Sequence, residues 1–203
     1  MRRILGYSAI LFLLVACSDM NSAPSDPPAP RVNVGGAAPA FKLSDQNGKS
    51  VSLSDYFGKY VVLEWTNPDC PFVQRHYQEK TMQTLESDYK PHDVVWLAIN
   101  STQTTTNDID KKWATDQKLE YPVLNDSAGK VGESYQATNT PNMFIISMDG
   151  KVLYRGGIDN DPEGDKKADR VNYVRQALDQ ILAGKPVNDP ETKPYGCGIK
   201  YKD

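Results

Sequence analysis

Cys70 stands where the sequence predicts that a buried strand ends and a helix begins. Residues 60–66 form an apolar run typical of a buried strand, and residues 71–89 carry apolar side chains at helical spacing. Pro71 suits the first helical position, because it has no N–H to leave unpaired and its φ is already helical. Free N–H groups and the dipole at a helix N-terminus favour a thiolate, the nucleophilic form of cysteine. The sequence therefore predicts a reactive thiol at Cys70, the alternative being a buried, inert cysteine.

The N-terminal segment predicts export and a lipid anchor. Arg2 and Arg3 precede an apolar run over residues 4–16, which falls short of the ~20 residues that a membrane-spanning helix needs. A charged start and a short apolar middle are typical of a secretory signal peptide, here residues 1–16. The end of the run, Leu-Val-Ala-Cys, resembles the lipobox of bacterial lipoproteins, which implies cleavage before Cys17 and lipid attachment to it. An ordinary signal peptide with a chance cysteine is the alternative.

Residues 17–34 predict a tether between a membrane and a folded domain. They are rich in Pro, Ser and Ala and hold few large apolar side chains, so they cannot form a core. Ser18 stands where an inner-membrane retention signal would have aspartate. The lipoprotein resemblance therefore implies a periplasm-facing protein of the bacterial envelope, with the outer membrane favoured. The folded domain is predicted over residues 35–185, and a polar tail carrying a cysteine over residues 186–203.

The net charge and the number of cysteines limit the kinds of partner and chemistry that the sequence predicts. The formal charge is -3 with acidic and basic residues well mixed, so the chain lacks the electrostatic footprint of a nucleic-acid binder. If lipid occupies Cys17, Cys70 and Cys197 remain, and two thiols in an oxidising compartment are a candidate redox pair. We predict no metal or other cofactor, and the sequence leaves the oligomeric state open.

Turn signals between apolar segments predict an α/β domain. Asn47-Gly48 and Asp149-Gly150 each separate two strand-like segments, the pattern of a hairpin. Further strands are predicted over residues 60–66 and 94–100, and further helices over residues 71–89, from a cap near Asn107, and before Gly184. Strand, helix, strand, helix, hairpin and helix is the order of an α/β sandwich.

Two segments resemble the thioredoxin superfamily and, within it, its exported peroxiredoxin-like or redoxin branch (AhpC/TSA-like). SLSDYFGKYVVLEWTNPDCP, residues 52–71, resembles the segment that carries the active-site cysteine. TPNMFIISMDGKVLYRGGID, residues 140–159, resembles the segment with the cis-proline and the following hairpin. The resemblance spans residues 35–183 and implies a thioredoxin-like α/β/α sandwich with a central mixed β-sheet.

The resemblance assigns roles around the cysteine. Cys70 matches the nucleophile of the family's Cys-x-x-Cys motif, but Val73 stands at the second cysteine position. Glu64 matches a buried acid that helps to move protons in thioredoxins, and a carboxyl buried without a partner has a raised pKa suited to acid–base work. A solvent-facing or salt-bridged Glu64 is the alternative.

The resemblance also implies a substrate-binding edge. Thr140-Pro141 matches the cis-proline loop, which in the family packs against the nucleophile and offers backbone hydrogen bonds to an extended substrate. Trp65 and Pro71 complete the predicted substrate-binding set. Trp65 is expected either to shield the thiolate or to pack in the core.

Departures from the peroxiredoxin pattern favour thiol–disulfide exchange over peroxide reduction. Peroxiredoxins place threonine or serine three residues before the reactive cysteine, proline seven residues before it, and an arginine later in the chain. This sequence has Asn67, Leu63 and Pro141 at those positions. The donors that would polarise a bound peroxide are therefore not recognisable.

Cys197 lies between two glycines near the C-terminus. The segment resembles the Gly-Cys-x-Ile-Lys ending of exported redoxins, and flexible flanks suit a cysteine that docks and undocks. Tyr195 and Ile199 are candidate docking anchors. A static structural disulfide and a free thiol without a role are the alternatives.

Two other features have ordinary interpretations that we favour. His76 could join Cys70 as a metal ligand, but an exposed helix position is the preferred interpretation. The acidic residues between 159 and 165 match a calcium loop in charge count only, so a solvated insertion is expected there.

These observations predict a membrane-anchored thiol–disulfide oxidoreductase that acts on protein or small-molecule disulfides and thiols. Its nucleophile is Cys70, and Cys197 is the candidate resolving thiol. A peroxiredoxin-like thiol peroxidase is the second hypothesis. A non-catalytic binding protein with the same fold is the third.

Overall fold

The computed structural model describes residues 32–202. Its strands are β1 (Lys42–Asp45), β2 (Ser50–Ser52), β3 (Tyr60–Trp65), β4 (Val94–Asn100), β5 (Val123–Asn125), β6 (Asn139–Thr140), β7 (Asn142–Ile146), β8 (Val152–Gly156) and β9 (Cys197–Gly198). Its helices are α1 (Pro71–Gln78), α2 (Thr81–Tyr89), α3 (Asn107–Asp116), α4 (Lys130–Tyr135) and α5 (Tyr173–Leu182). The predicted signal peptide, Cys17 and most of the predicted tether lie outside the described residues.

Seven strands form one mixed sheet in the order β2-β1-β5-β4-β3-β7-β8. The neighbours β3, β4 and β5 run parallel, and the other pairs in the sheet are antiparallel. The central strands β3 and β4 read as continuous apolar runs because both of their faces are covered. The predicted thioredoxin-like sandwich with a central mixed sheet is confirmed, and so are both hairpins.

Hydrophobic clusters cover both faces of the sheet. Successive side chains of a strand point to opposite faces, so Val62 belongs to one cluster while Leu63 and Trp65 belong to the other. The first cluster packs α1, α2 and α5 against the sheet and contains Cys70. The second cluster includes residues of α4 and of the first hairpin. The face that holds Cys70 is therefore the one covered by α1.

The single helix predicted over residues 71–89 is wrong. Lys80 has a positive φ of 62° and separates α1 from α2. Its N–H donates to the carbonyl of Tyr77 at 3.2 Å, which closes a turn at the end of α1. The apolar positions on either side of the break belong to one buried cluster, which is why the helical spacing continues through it.

The C-terminal tail returns to the domain. Residues 190–192 lie beside β8, where the N–H of Arg155 donates to the Pro190 carbonyl at 3.0 Å. The tail then crosses to β6, with which β9 forms a two-stranded antiparallel sheet. Beyond β9, the Tyr201 hydroxyl donates to the Ala137 carbonyl at 2.7 Å. Within the described part of the chain, no helix is long and apolar enough to cross a membrane.

Candidate active site

Cys70 occupies the N-cap of α1, as the strand-to-helix pattern predicts. Its backbone is extended, with φ -82° and ψ 118°, and Pro71 begins the helix. The Cys70 carbonyl accepts the first helical hydrogen bond from Gln74 N–H at 2.9 Å. The side chain is buried, with a relative exposure of 1%. The thiol therefore faces the helix N-terminus from within the core.

The cis-proline loop contacts this thiol. The Thr140-Pro141 peptide bond is cis, as the resemblance implies. The Cys70 thiol donates to the Thr140 carbonyl oxygen, with Sγ and O 3.1 Å apart. Two segments that are 70 residues apart in the sequence thus meet at one sulfur atom.

The tail brings Cys197 to the same place. In the β6–β9 pair, Cys197 lies opposite Thr140 and Gly198 opposite Asn139. The N–H of Ile199 extends the pairing by donating to the carbonyl of the residue before β6, at 3.1 Å. The Cys197 side chain is close enough to the Cys70 sulfur to affect the pKa of Cys70, and both cysteines are free thiols.

The environment makes Cys70 the more acidic of the two thiols. Burial raises the pKa of Cys70, but the Cys197 side chain and the backbone N–H groups of Val73 and Cys197 help to outweigh it, so the pKa of Cys70 is lowered. Burial and the neighbouring Cys70 sulfur raise the pKa of Cys197 to about 11. Cys70 is therefore the thiol that ionises more readily.

A glycine allows the tail to lie this close. Gly196 has φ +116°, and a Cβ on it would lie 2.0 Å from the Thr140 carbonyl oxygen. Asn139 Nδ2 donates to the Gly196 carbonyl at 3.1 Å, which fixes the same residue from the other side. The glycine before Cys197 is thus required by close backbone approach, in addition to any flexibility it provides.

Glu64 is fully buried on the Cys70 face of the sheet, so its solvent-facing and salt-bridged alternatives are wrong. Trp96 Nε1 donates to Glu64 Oε2 at 2.8 Å, and the Tyr77 hydroxyl donates to Oε1 at 2.9 Å. Burial raises the pKa of Glu64 to about 7, although these hydrogen bonds oppose the rise. The carboxyl is thus able to take up or release a proton near neutral pH.

The two residues that flank Cys70 in the predicted substrate set lie in different environments. Trp65 is fully buried and packs against Tyr135 and Phe144 on the opposite face of the sheet. Its indole N–H donates to the Ser101 hydroxyl at 3.0 Å. Strand alternation places Glu64 on the Cys70 face and Trp65 on the other, so Trp65 packs in the core and neither shields the thiolate nor lines a substrate surface. Pro71 is exposed beside Cys70 at the start of α1.

The sequence analysis missed a buried polar cluster beside the tail. His76 is fully buried, so its exposed interpretation is wrong. Asp159 and Asp161, which were expected in a solvated insertion, are also buried, with relative exposures of 1% and 0%. The Tyr195 hydroxyl donates to Asp159, which joins the tail to this cluster. Among residues 32–202, no group of three or more His, Cys, Asp or Glu side chains is arranged to hold a metal ion.

A family model describes most of this architecture. The AhpC/TSA family model matches residues 34–155, which include β1 to β7, most of β8, and both Cys70 and Thr140. The chain belongs to the AhpC/TSA family. With its thioredoxin-like fold and free thiol at a helix N-terminus, it is an oxidoreductase of the thioredoxin superfamily. The match ends before Cys197.

Known proteins with similar sequences or structures agree with this assignment. Over 124 residues the chain is 30% identical to thiol-disulfide oxidoreductase ResA of Bacillus thuringiensis subsp. konkukian, covering 61% of this chain and 69% of that protein. The crystal structure of an uncharacterized conserved protein from Geobacillus kaustophilus has a TM-score of 0.76 and 31% identity, covering 84% of this chain and 93% of that one. A hypothetical protein from Sinorhizobium meliloti 1021 has the same TM-score of 0.76 at 24% identity, covering 85% and 97%, and supports the fold alone.

Proposed function

We propose that this protein is a thiol–disulfide oxidoreductase in which Cys70 attacks a disulfide and Cys197 resolves the product. The observation that supports this proposal is the pairing of Cys197 with Thr140, the residue whose carbonyl oxygen accepts the Cys70 thiol at 3.1 Å. The motif's own second position is Val73, a fully buried core residue. The tail thus supplies, from the C-terminus, the thiol that the helix lacks.

The reaction has two exchange steps. The Cys70 thiolate attacks one sulfur of a substrate disulfide, forming a mixed disulfide and releasing the other half as a thiolate. Cys197 loses its proton and attacks the Cys70 sulfur, which forms the Cys70–Cys197 disulfide and releases the second half. An external dithiol returns the protein to its reduced state and becomes oxidised itself. Run in reverse, the same steps oxidise a substrate dithiol. We assign Glu64 the role of proton reservoir, so Glu64→Gln should slow exchange.

The surroundings of the sulfur favour this reaction over peroxide reduction. The side chains and N–H groups that lower the pKa of Cys70 are those of Cys197, Thr140 and Val73, and an arginine is not among them. Asn67, at the position where peroxiredoxins have threonine or serine, uses its side-chain oxygen to accept the Asp69 N–H at 2.9 Å. The threonine or serine and the arginine expected to hold a peroxide are thus not found in these roles.

Thiol stoichiometry tests the proposal. A small aromatic disulfide added to the reduced mature protein, with Cys17 replaced, should release two thiols per chain, one at each exchange step, and leave the protein without an adduct; two released thiols with two adducts on the protein would contradict resolution. Cys197→Ser should release one thiol and retain the other half as an adduct on Cys70, seen by intact-mass spectrometry. Release of a single thiol from both proteins would contradict resolution by Cys197. No thiol release and no adduct would contradict exchange altogether.

We also propose that lipid on Cys17 anchors the protein to the bacterial envelope, facing the periplasm. The lipobox-like Leu-Val-Ala-Cys and the Pro/Ser-rich segment after it support the anchor. A periplasmic domain would meet disulfides routinely, which fits the exchange chemistry. Protein thiols and disulfides are the substrate class that we propose, by analogy with the named activity of the similar ResA protein.

A further inference from the structure

Tyr195 enters the polar cluster two residues before Cys197. Its hydroxyl donates to Asp159 Oδ1. The Tyr195 hydroxyl oxygen also lies 2.9 Å from His76 Nε2 and accepts a hydrogen bond from Arg75 Nη2 at 3.3 Å. The Tyr195 ring packs edge-on against Phe72, with the ring centroids 6.0 Å apart. One phenol thus satisfies three polar groups of the domain.

The groups that receive Tyr195 are held by contacts that do not involve the tail. Asp161 accepts backbone N–H groups of the loop that follows it, and also Arg170 Nε at 2.8 Å. Arg75 donates to the carbonyls of Asp161 and Pro162, each at 2.8 Å. A receptor that is already ordered loses little conformational entropy when it binds. The cluster therefore has the rigidity of a docking site.

The same helix carries this docking site and the nucleophile. Cys70 caps α1, while Phe72, Arg75 and His76 lie on it and contact Tyr195. A tail held at Tyr195 is therefore fixed in position relative to α1, the helix that Cys70 caps. This matters because a disulfide requires Cα atoms within about 7 Å and the correct side-chain directions.

We propose that Tyr195 is a positioning residue: its hydroxyl, held by Asp159, Arg75 and neutral His76, latches the tail so that Cys197 stays opposite Thr140. The proposal rests on the exchange function described above and adds a control to it. Cys70 is buried while the tail is docked, so a substrate reaches its sulfur only when the tail moves. The latch then sets the equilibrium between two states. The released tail admits substrate to Cys70, and the docked tail brings Cys197 to resolve the mixed disulfide.

The latch is sensitive to acid through His76. Because the Tyr195 hydroxyl donates to Asp159, it accepts from His76 Nε2–H, and Nδ1 is buried without a partner. Protonation of His76 would add a hydrogen to Nδ1, and this second N–H would be buried without an acceptor. Burial, which dominates over the opposing Asp159 charge, lowers the pKa of His76 to about 4. In a released tail, water reaches the ring and the pKa returns toward about 6.5.

The charged groups that face the ring come from α1 and its C-cap, from the loop after β8 and from the loop before α5: Arg75, Glu79, Asp159, Asp161 and Arg170. Burial raises the pKa of Asp161, but Arg170 and backbone N–H groups outweigh it and lower this pKa to about 2. The hydrogen bond from Arg170 also lowers the pKa of Glu79. Between pH 6.5 and 4 the released state therefore takes up the additional proton at His76. Acid thus favours release, by up to about tenfold for each pH unit.

The test compares Tyr195→Phe with Tyr201→Phe, a tail tyrosine whose hydroxyl meets only a backbone carbonyl. The effective concentration of Cys197 toward Cys70 is measured in glutathione buffers from pH 7.5 to 5. Tyr195→Phe should lower it about tenfold or more at pH 7.5, because it removes hydrogen bonds to charged groups. The value should fall with acid in wild type and Tyr201→Phe, and it should stay flat in Tyr195→Phe and in His76→Gln.

Histidine NMR separates this proposal from the exchange function. The chain has two histidines, and exposed His92 serves as the internal reference. The His76 titration midpoint should move upward in Tyr195→Phe and stay in place in Tyr201→Phe. An unchanged effective concentration and an unchanged midpoint in Tyr195→Phe would overturn the latch. If wild type forms no Cys70–Cys197 disulfide, the exchange proposal fails, while the His76 midpoints still decide whether Tyr195 docks the tail.

Discussion

Cys197 lies opposite Thr140 in an antiparallel strand pair, and the Thr140 carbonyl oxygen is also the acceptor of the Cys70 thiol at 3.1 Å. Thr140 therefore contacts Cys70 and pairs with Cys197. The edge of β6 is also where the thioredoxin resemblance places the backbone of an extended substrate. The tail thus occupies, with its own cysteine, the edge that the resemblance predicts for a substrate, and the proposed exchange requires these two uses of the edge to alternate.

Gly196→Ala should prevent the tail from docking. Its Cβ would lie 2.0 Å from the Thr140 carbonyl oxygen, and φ +116° disfavours any side chain. We expect disulfide formation between Cys70 and Cys197 to slow by about tenfold or more, as measured by quenched alkylation and mass spectrometry. Gly198→Ala is the matched control, since its Cβ would meet nothing within 4 Å. Equal rates in the two variants would show that tail docking does not limit the step.

The acidity of Cys70 should depend on the side chain at position 197. Burial opposes ionisation, and the hydrogen bond from the Cys197 side chain is the largest contribution that lowers the pKa of Cys70. Cys197→Ala removes this donor and should raise the Cys70 pKa, whereas Cys197→Ser keeps a hydroxyl donor and should raise it less. Alkylation rate against pH measures both. A Cys70 pKa that is the same in both variants and in wild type would exclude this hydrogen bond as a cause.

Glu64→Gln should change the pH dependence of stability. The folded-state pKa of about 7 lies above the ordinary glutamate value of 4.5, so the folded protein binds this proton more tightly than the unfolded chain does. Stability from this group is complete below pH 4.5 and is lost as pH rises through 7, about 3 kcal/mol in all. Denaturant unfolding from pH 4 to 8 should show this loss in wild type and not in Glu64→Gln. Exposed Glu163→Gln is the control and should keep the wild-type profile.

The glutamine should fit the site of Glu64. Trp96 N–H would still have an amide oxygen as acceptor. The amide N–H could donate to Tyr77, whose own hydroxyl can turn to Tyr121 at 3.0 Å. If Glu64→Gln instead follows the wild-type pH profile, the carboxyl does not titrate near neutrality in the folded protein.

Cys17→Ser should release the protein from membranes. The lipobox-like sequence predicts that the thiol of Cys17 carries the anchor and that cleavage occurs before it. Fractionation of cells that express the full chain should place wild type with membranes and the variant in the soluble fraction or in an unprocessed form. Membrane association that is equal in both would contradict the anchor. Cys70→Ser is the control, because it also removes one thiol but leaves the lipobox intact.

Local patterns in the sequence predicted the scaffold and the position of Cys70 at a helix N-cap. The apolar runs of β3 and β4, the two turn signals of the hairpins and the position of Pro71 depend on neighbouring residues, and the structure has these elements. The burial of Glu64 followed from the resemblance. Period-two alternation along β3 could have placed Trp65 on the far face, since it follows Glu64 directly.

Contacts between distant segments were beyond sequence reasoning. The break at Lys80 requires a left-handed residue that no glycine or proline marks. His76 looks like a surface residue of a helix until the tail and the loop after β8 cover it. Asp159 and Asp161 look like solvated acids because their partners, Tyr195 and Arg170, come from other parts of the chain. Only tertiary packing places these charges together.

Peptide mapping of the oxidised protein tests the central claim most directly. The mature chain with Cys17 replaced, equilibrated in an oxidising glutathione buffer, quenched with acid and digested, should yield one peptide pair joined by a Cys70–Cys197 disulfide. The pair should disappear in Cys197→Ser, where glutathione should remain on Cys70. If wild type instead carries glutathione on Cys70 and a free or separately modified Cys197, with no joined pair, the tail is not the resolving arm.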